Sequence, residues 1–518
     1  MKDTVYYNQL ISKFFDTAKN NQEKIAVREI DREITFSKLY CEVLFLSKKI
    51  EHLLKNKRNQ RIGVFISKSI ESTVADLAIL LSGNVFVNLD TKNPVARLKS
   101  ICDNCCLSIV IRKSASENVE QFFSGDVLDY CIDDIEKIDP YDFSLNNSID
   151  DFLNRNYFKN VDTDPFCIIN TSGSTGIPKA VALTHKGFCD FTNAAKKSKI
   201  IDGPEIIGSL SPAYFDIYVF ELCLLMDSGS TIVIIPENLS LFPLKILQML
   251  HDMSVTYIFW VPTIMVNIAN KDFLSYVNLP SLKKVWFAGE VFPTVKFRYW
   301  ADKLPKTQFV NMYGPIEIHV DCLFYIVPHD FPIDRPIPIG KPFYNTDAII
   351  LNDDNLITEP NEEGELCIRG SSLALGYFND KKKTESVFVQ NPLNKYYPEL
   401  IYRTGDIVKL DGSGNYCFVG RKDTLVKRLG YRIELSEIEH VALAKIENIK
   451  NACVIFNEKT NDLIMYYESA EPIDNSLLKK NFMSLFPRYM VPTKYCHCRE
   501  LLKNPNGKID RNYYKNRE

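Results

Sequence analysis

The run Thr171-Ser-Gly-Ser-Thr-Gly-Ile-Pro-Lys179 gathers hydroxyls, glycines and a lysine in one short stretch, directly after the apolar run Phe166-Cys-Ile-Ile169. A strand leading into such a loop can turn successive N–H and O–H groups onto phosphate oxygens, and Lys179 adds a positive charge. The spacing is not that of a Walker A loop, which needs four residues between its first glycine and Gly-Lys-[Ser/Thr]. The dinucleotide fingerprint Gly-x-Gly-x-x-Gly is absent as well. Taken alone, the same residues also describe a solvated Ser/Thr/Gly turn.

The elements that must hold this loop alternate in type. Arg61-Ile-Gly-Val-Phe-Ile66, Val85 to Leu89, Cys106 to Ile111, Thr231 to Ile235 and Val255 to Trp260 read as strands, and Glu71 to Leu81 carries apolar residues at helical spacing. That rhythm predicts an α/β protein: a large N-terminal domain of layered, mostly parallel sheets with helices. From about residue 340 short strands and turns dominate, giving a small β-rich part over about 340–420. A segment from about 421 has helices over Leu435 to Ile446 and Leu477 to Phe486, with strands over Ala452 to Phe456 and Leu463 to Tyr467. These make a small, mobile α+β C-terminal domain, so the expected division is 1–420 and 421–518. The 518 residues suffice for three or four units of core. Lys+Arg is 62 against Asp+Glu 65, a net charge of -3 that gives no global attraction to nucleic acid. Met1-Lys2-Asp3-Thr4 starts no secretory signal. The most apolar long stretch, Val74 to Leu89, is broken by Asp76, Ser82, Gly83 and Asn84, too polar to span a bilayer. A cytoplasmic protein without a membrane partner is expected. Neither Cys102/Cys105/Cys106 nor Cys496-His497-Cys498 has the paired spacing of a zinc site, so reduced thiols are expected.

Further motifs follow the loop: Tyr313-Gly-Pro-Ile-Glu317, Tyr402-Arg-Thr-Gly-Asp406, Gly420-Arg-Lys-Asp423, Lys427-Arg-Leu-Gly-Tyr-Arg-Ile-Glu434 and Asn504-Pro-Asn-Gly-Lys-Ile-Asp-Arg511. In this order and spacing the chain resembles the adenylate-forming superfamily, which contains acyl-CoA synthetases, luciferases and the adenylation domains of peptide synthetases. The resemblance runs from Ala26-Val27 to Arg511. It implies ATP and Mg2+ as cofactors and a reaction in which an acid oxygen attacks the α-phosphorus and pyrophosphate leaves, catalysed chiefly by positioning and charge neutralisation. By resemblance Thr171, Ser172, Gly173, Ser174, Thr175, Gly176 and Lys179 hold the departing phosphates. Gly289, Glu290, Asn311, Met312, Tyr313 and Gly314 belong to the nucleotide site, with Tyr313 against the adenine. Glu317 is the magnesium ligand, Asp406 accepts the ribose hydroxyls, and Arg421 reaches the ribose or phosphates. Lys508 is implied as the catalytic lysine, bridging the acid oxygen and the α-phosphate. Asp423 is the implied hinge about which the C-terminal domain rotates, exchanging Lys508 for the segment around Gly430.

The resemblance also bears on the acid. Ser211-Pro-Ala-Tyr-Phe-Asp-Ile-Tyr-Val-Phe-Glu221 matches the segment that begins the amino-acid pocket of peptide-synthetase adenylation domains. Asp216 stands where an aspartate pairs with the substrate's α-ammonium group. Ile217, Phe220, Phe259, Trp286, Ala288, Met312, Val320 and Asp321 are the other implied lining positions. Bulky lining could leave room for only a small side chain, or could stack on a flat or long one. Asp321 could meet a basic or hydroxyl-bearing side chain, or bond only to local backbone. The layout is also similar to D-alanine:carrier-protein ligases. Seven residues follow Arg511 and no pantetheine attachment motif is found, so the expected partner is a separate phosphopantetheinylated carrier protein. Signatures of class I tRNA synthetases are absent. Two alternatives stand beside amino-acid activation: an aryl or short acyl acid, and a catalytically weak nucleotide-binding subunit. Ile316 motivates the last, replacing the usual threonine of Tyr-Gly-Pro-Thr-Glu and removing a hydroxyl near the α-phosphate. Ala180, Leu425, Asn84, Asn88 and Thr91-Lys92-Asn93 are further departures from the family's patterns.

Overall fold

Along each central strand, alternate side chains enter different cores. In the computed structural model, Ile232 and Ile234 join one apolar cluster, while Val233 and Ile235 join another behind the strand. Tyr257 and Phe259 face the first cluster, Ile258 and Trp260 the second. This period of two, with apolar residues on both faces, is what a strand buried between two helical layers requires. The structure describes residues 10–114, 128–133, 160–171, 179–422, 425–428, 431–457, 460–486, 488–504 and 508–517.

Two large sheets carry the N-terminal part. The nine-stranded sheet has a parallel centre, in the spatial order Gln308–Tyr313, Lys284–Phe287, Tyr257–Trp260, Ile206–Ser209, Thr231–Ile234 and Ile25–Arg28. Antiparallel strands close both edges. The seven-stranded sheet centres on Val85–Asn88, flanked by Arg61–Phe65 and Pro165–Thr171, with Ile109–Arg112 beyond Arg61–Phe65, all parallel. The helices Ile70–Leu81 and Asp216–Ser228 lie in the core shared by these sheets. Every residue of Ile70–Leu81 is buried, which explains a helix that is apolar nearly all round. Ser69 caps its start reciprocally with Ser72. Expected elements shift only at their ends. Cys106 takes a left-handed conformation that closes the helix Val95–Cys105, so the next strand begins at Ile109.

A five-stranded antiparallel sheet follows, running from Thr346–Leu351 to Tyr416–Arg421. The last part is built on Asn451–Asn457, Asp462–Glu468 and Lys494–Cys498, with the helices Leu435–Lys445 and Asn475–Leu485. Its apolar residues form their own clusters around Ile438, Phe482 and Tyr514. The parallel strand Lys494–Cys498 was not anticipated. It turns Cys496 and Cys498 into the cluster of Tyr466 and Tyr514, while His497 Nε2 lies 3.0 Å from the Ser469 carbonyl. Among the described residues no helix is long and apolar enough to cross a membrane.

Candidate active site

The groups singled out in the sequence converge where parallel strands of the large sheet end, the edge at which open α/β sheets present ligand-binding loops. Asp216 is the first residue of the helix that follows Ile206–Ser209. Its Oδ1 accepts the Ile217 N–H at 2.9 Å. Burial pushes its carboxyl up to about 6, opposed by those backbone bonds and by the ammonium of Lys508, and raised further by the charge of Glu317. Phe259 and Trp286 sit side by side on neighbouring strands. Phe220 stacks on Trp286 at 5.6 Å, and Phe259 meets it at 5.7 Å and 71°. Tyr257 meets the same indole edge-on at 5.2 Å. Ile217, Ala288, Met312 and Val320 are buried in the same core. Asp321 is 3% exposed, and burial followed by the charge of Asp216 raises its carboxyl well above the usual range. Among the described residues Asp321 Oδ2, Trp286 Nε1 and the Tyr257 hydroxyl have no hydrogen-bond partner. Buried polar atoms without partners are costly in a native interior.

Around Asp406 the polar groups already hold one another. The Tyr313 hydroxyl donates to Asp406 Oδ2, and Arg421 donates to Asp406 Oδ1 at 2.6 Å. Asp406 and Arg421 face each other across paired strands. Gly314 allows Tyr313 its place: a Cβ there would stand 2.3 Å from Asp321 Cα. Asn311 is committed to the Pro338 carbonyl at 2.8 Å, and Glu290 accepts the Thr263 N–H and hydroxyl at 3.0 and 2.6 Å. Both build the site's walls from within.

Glu317 lies in the short turn Ile316–Ile318 and accepts the Tyr377 hydroxyl at 2.6 Å. Lys179 and Lys383 stand 5.6 and 5.4 Å from the Tyr377 ring centre. Desolvation first, and the charge of Lys179 second, lower Lys383. The turn is anchored by His319, whose Nε2 accepts the Thr184 N–H at 2.7 Å, leaving Nδ1–H to donate to the Ser372 carbonyl at 2.7 Å. Burial holds this imidazole down to about 4, so it stays neutral. His319 and Val320 have φ of 54° and 60°, a left-handed kink that Val320 adopts only under constraint. Ile316 packs its side chain against the main core.

Lys508 reaches the site from the far end of the chain. Its Nζ donates to the Gly289 carbonyl at 2.6 Å. Gly289 has φ of 84°, and a Cβ there would lie 3.4 Å from that Nζ. The residue after Ala288 is thus kept bare where the lysine arrives.

Residues 14–378 match the family model described as AMP-binding enzyme. The chain belongs to this family of adenylate-forming enzymes. Among curated relatives of this AMP-binding enzyme, delta-poly-L-ornithine synthetase of Acinetobacter baumannii (strain AB307-0294) is 30% identical over 520 residues, covering 98% of this chain and 37% of that protein. Tyrocidine synthase 1 of Brevibacillus parabrevis is 30% identical over 505 residues, covering 96% of this chain and 44% of that protein. The chain thus spans 37% and 44% of the length of these two relatives. Two solved structures share the fold. Klebsiella oxytoca NpsA in complex with 3-hydroxyanthranilyl-AMSN aligns with a TM-score of 0.81 at 20% identity, over 99% of both chains. O-succinylbenzoate coenzyme A synthetase from Bacillus subtilis, in complex with ATP and magnesium ion, aligns with a TM-score of 0.80 at 19% identity, over 96% of this chain and 98% of that one.

In this AMP-binding enzyme Asp216, Glu317, Tyr313, Asp406, Arg421 and Lys508 surround one edge of the sheet. Thr171 ends the strand Pro165–Thr171, and Lys179 begins Lys179–Thr184. Ser172, Gly173, Ser174, Thr175 and Gly176 lie outside the described residues, as do Asp423 and Gly430. Sequence reasoning missed Tyr377, Lys383 and His319. The first two come from a segment 60 or more residues after Glu317, with no motif to flag them, and His319 adjoins a motif without belonging to it. A cavity of about 500 Å³ on the five-stranded sheet, lined by residues such as Ile357, Tyr396 and Tyr416, contains none of these groups.

Proposed function

We propose that this enzyme activates an amino acid with ATP, forming an aminoacyl-AMP and pyrophosphate, and then passes the aminoacyl group to the phosphopantetheine thiol of a carrier protein, the new thioester bond replacing the acyl–phosphate bond as AMP leaves. The observation that carries this is Asp216, a carboxylate at the head of a helix and one turn before Phe220, whose ring stacks on Trp286, with the charge of Lys508 also acting on it. A substrate with an ammonium and a carboxylate fits that pair of opposite charges. The carboxylate oxygen attacks the α-phosphorus, the bond to the β-phosphate bridging oxygen breaks, and pyrophosphate departs with the electron pair. Lys508 orients the acid oxygen and the α-phosphate and offsets the charge that grows between them. Asp406, Tyr313 and Arg421 hold the nucleoside, while Lys179 faces the phosphates.

Among the described residues no three His, Cys, Asp or Glu cluster as a metal cage. A single carboxylate, Glu317, suits a hard cation that arrives with phosphate oxygens and keeps its waters. Magnesium so bound neutralises phosphate charge, and Glu317 would hold it. The span 421–518 acts as the lid, hinged at Asp423. The names of delta-poly-L-ornithine synthetase and tyrocidine synthase 1 support an amino acid or peptide context. The aromatic lining favours one second reading, an aryl acid.

The test is ATP–pyrophosphate exchange across L-amino acids, D-alanine, β-alanine, and aryl and short acyl acids, with Lys508→Ala as control. Exchange with amino acids, reduced about a hundredfold or more in the control, is the expected result. Exchange with aryl acids alone would replace the substrate class. Silence with ATP still bound would leave a nucleotide-binding subunit without adenylation activity.

A further inference from the structure

The turn that delivers Asp216 is gripped from two sides by buried polar side chains to which no motif assigns a role. Lys68 points its ammonium at the end of the strand Ile206–Ser209. Nζ donates to the Ser209 carbonyl at 2.7 Å, to Ser209 Oγ at 3.1 Å and to the Ser211 carbonyl at 2.7 Å. The Ser209 hydroxyl donates onward to Glu221 Oε2, on the helix that Asp216 begins. Strand, turn and helix are thereby tied through one cation and one hydroxyl. From the other side Asn88, at the end of Val85–Asn88, donates to the Ala213 carbonyl at 3.0 Å and to Asp76 Oδ2 at 3.1 Å. The Tyr218 hydroxyl, one turn from the head of the same helix, donates to the same Asp76 oxygen at 3.1 Å. Asp76 and Glu221 are wholly buried.

Such groups are costly to bury unless they are paired and hydrogen-bonded, and here Lys68 and Asn88 bond to the backbone of one turn. The carbonyls they fix belong to Ser209, Ser211 and Ala213, which lead directly into Asp216. Asn88 is also one of the chain's departures from its family's pattern, and here its amide links the two large sheets' layers through Asp76 and Ala213. Among the described residues, the hydrogen bonds of Lys68 and Asn88 go to Ser209, Ser211, Ala213 and Asp76 and to none of the residues assigned to the nucleotide.

We propose that Lys68 and Asn88 are positioning residues for acid recognition, holding the turn 209–215 so that Asp216 meets the substrate. The proposal rests on the reading of Asp216 as the ammonium's partner. It separates from a general stabilising role because the turn serves the acid and not ATP.

The experiment measures KM for the acid and for ATP in pyrophosphate exchange, using the full chain and the acid found in the screen. Lys68→Met is expected to raise KM for the acid at least tenfold while KM for ATP changes less than threefold. Lys68→Arg, which keeps a cation with several donors, should recover most of that loss. Asn88→Ala should move the same KM by a smaller factor. If Lys68→Met does not fold, Asn88→Ala and Tyr218→Phe, with Lys68 in place, should still raise KM for the acid by that smaller factor and leave KM for ATP unchanged. Equal rises in both KM values, or unchanged KM for the acid in the folded variants, would overturn the proposal and leave the role of Asp216 standing. A wild-type enzyme silent with every acid would overturn both.

Discussion

The two halves of the site are built differently. Around the proposed nucleoside site, Asp406 already receives Tyr313 and Arg421. Around the acid, Asp321 Oδ2 and Trp286 Nε1 have no partner among the described residues, and the Asp216 carboxyl is pushed up to about 6 by burial. The difference follows from what each half must recognise. ATP is the same for every member of the family, so a rigid, self-satisfied frame suits it. The acid side carries its polar groups in a desolvated setting, where a matching ligand is rewarded and a mismatched one leaves them unpaired.

Four outcomes would break or sharpen that contrast. The largest effect is expected from Asp216→Ala. Removing one member of a desolvated charge pair costs about 2–5 kcal/mol. KM for the amino acid should therefore rise by roughly 30-fold to a thousandfold or more, with KM for ATP unchanged in exchange assays. Equal effects on both substrates would erase the division. Next comes Asp406→Asn, which keeps the shape and removes the charge. Hydrogen bonds to charged groups contribute about 1.5–3 kcal/mol, so KM for ATP should rise roughly 10- to 100-fold, read by ATP titration at saturating acid.

The third outcome is a pH profile. Asp216 must be ionised to receive an ammonium group, and its raised carboxyl protonates as pH falls through about 6. KM for the amino acid should then climb toward about tenfold per unit below that pH, while KM for ATP lacks this limb. The Asp216→Ala variant should lose the limb, and a profile that keeps it would assign the titration elsewhere. The smallest effect is expected from Tyr313→Phe, which deletes one hydroxyl donor to Asp406. A loss of about 0.5–1.5 kcal/mol corresponds to a rise of roughly two- to tenfold in KM for ATP.

Much of the framework was legible because its signals are local. The run Arg61–Phe65 is apolar and β-rich, and Ile70–Leu81 carries apolar residues at helical spacing, which suits a strand and a helix enclosed between layers. Tyr313, Glu317, Asp406 and Lys508 stood out through motifs that resemble those of the adenylate-forming superfamily, and the structure brings Tyr313 to Asp406 and Lys508 to Gly289. Tyr377 and His319 did not stand out. Tyr377 comes to Glu317 from 60 residues downstream, and His319 is defined by the backbone groups of Thr184 and Ser372 that it bridges. Asn88 read as a blemish in a pattern until the structure brought Asp76 and Ala213 to its amide.

The sequence by itself determined the layered α/β architecture, the family and the types of chemical group available. Periodicity and short motifs are properties of neighbouring residues, and the chain order preserves them. Tertiary structure alone decided which groups satisfy one another and which are left waiting. Pairings such as Lys68 with Ser211, or Lys508 with Gly289, join residues 143 and 219 positions apart. Burial sets their strength, because the same carboxylate that water would keep ionised at Asp216 or Asp321 is shifted once packed strands and helices exclude solvent.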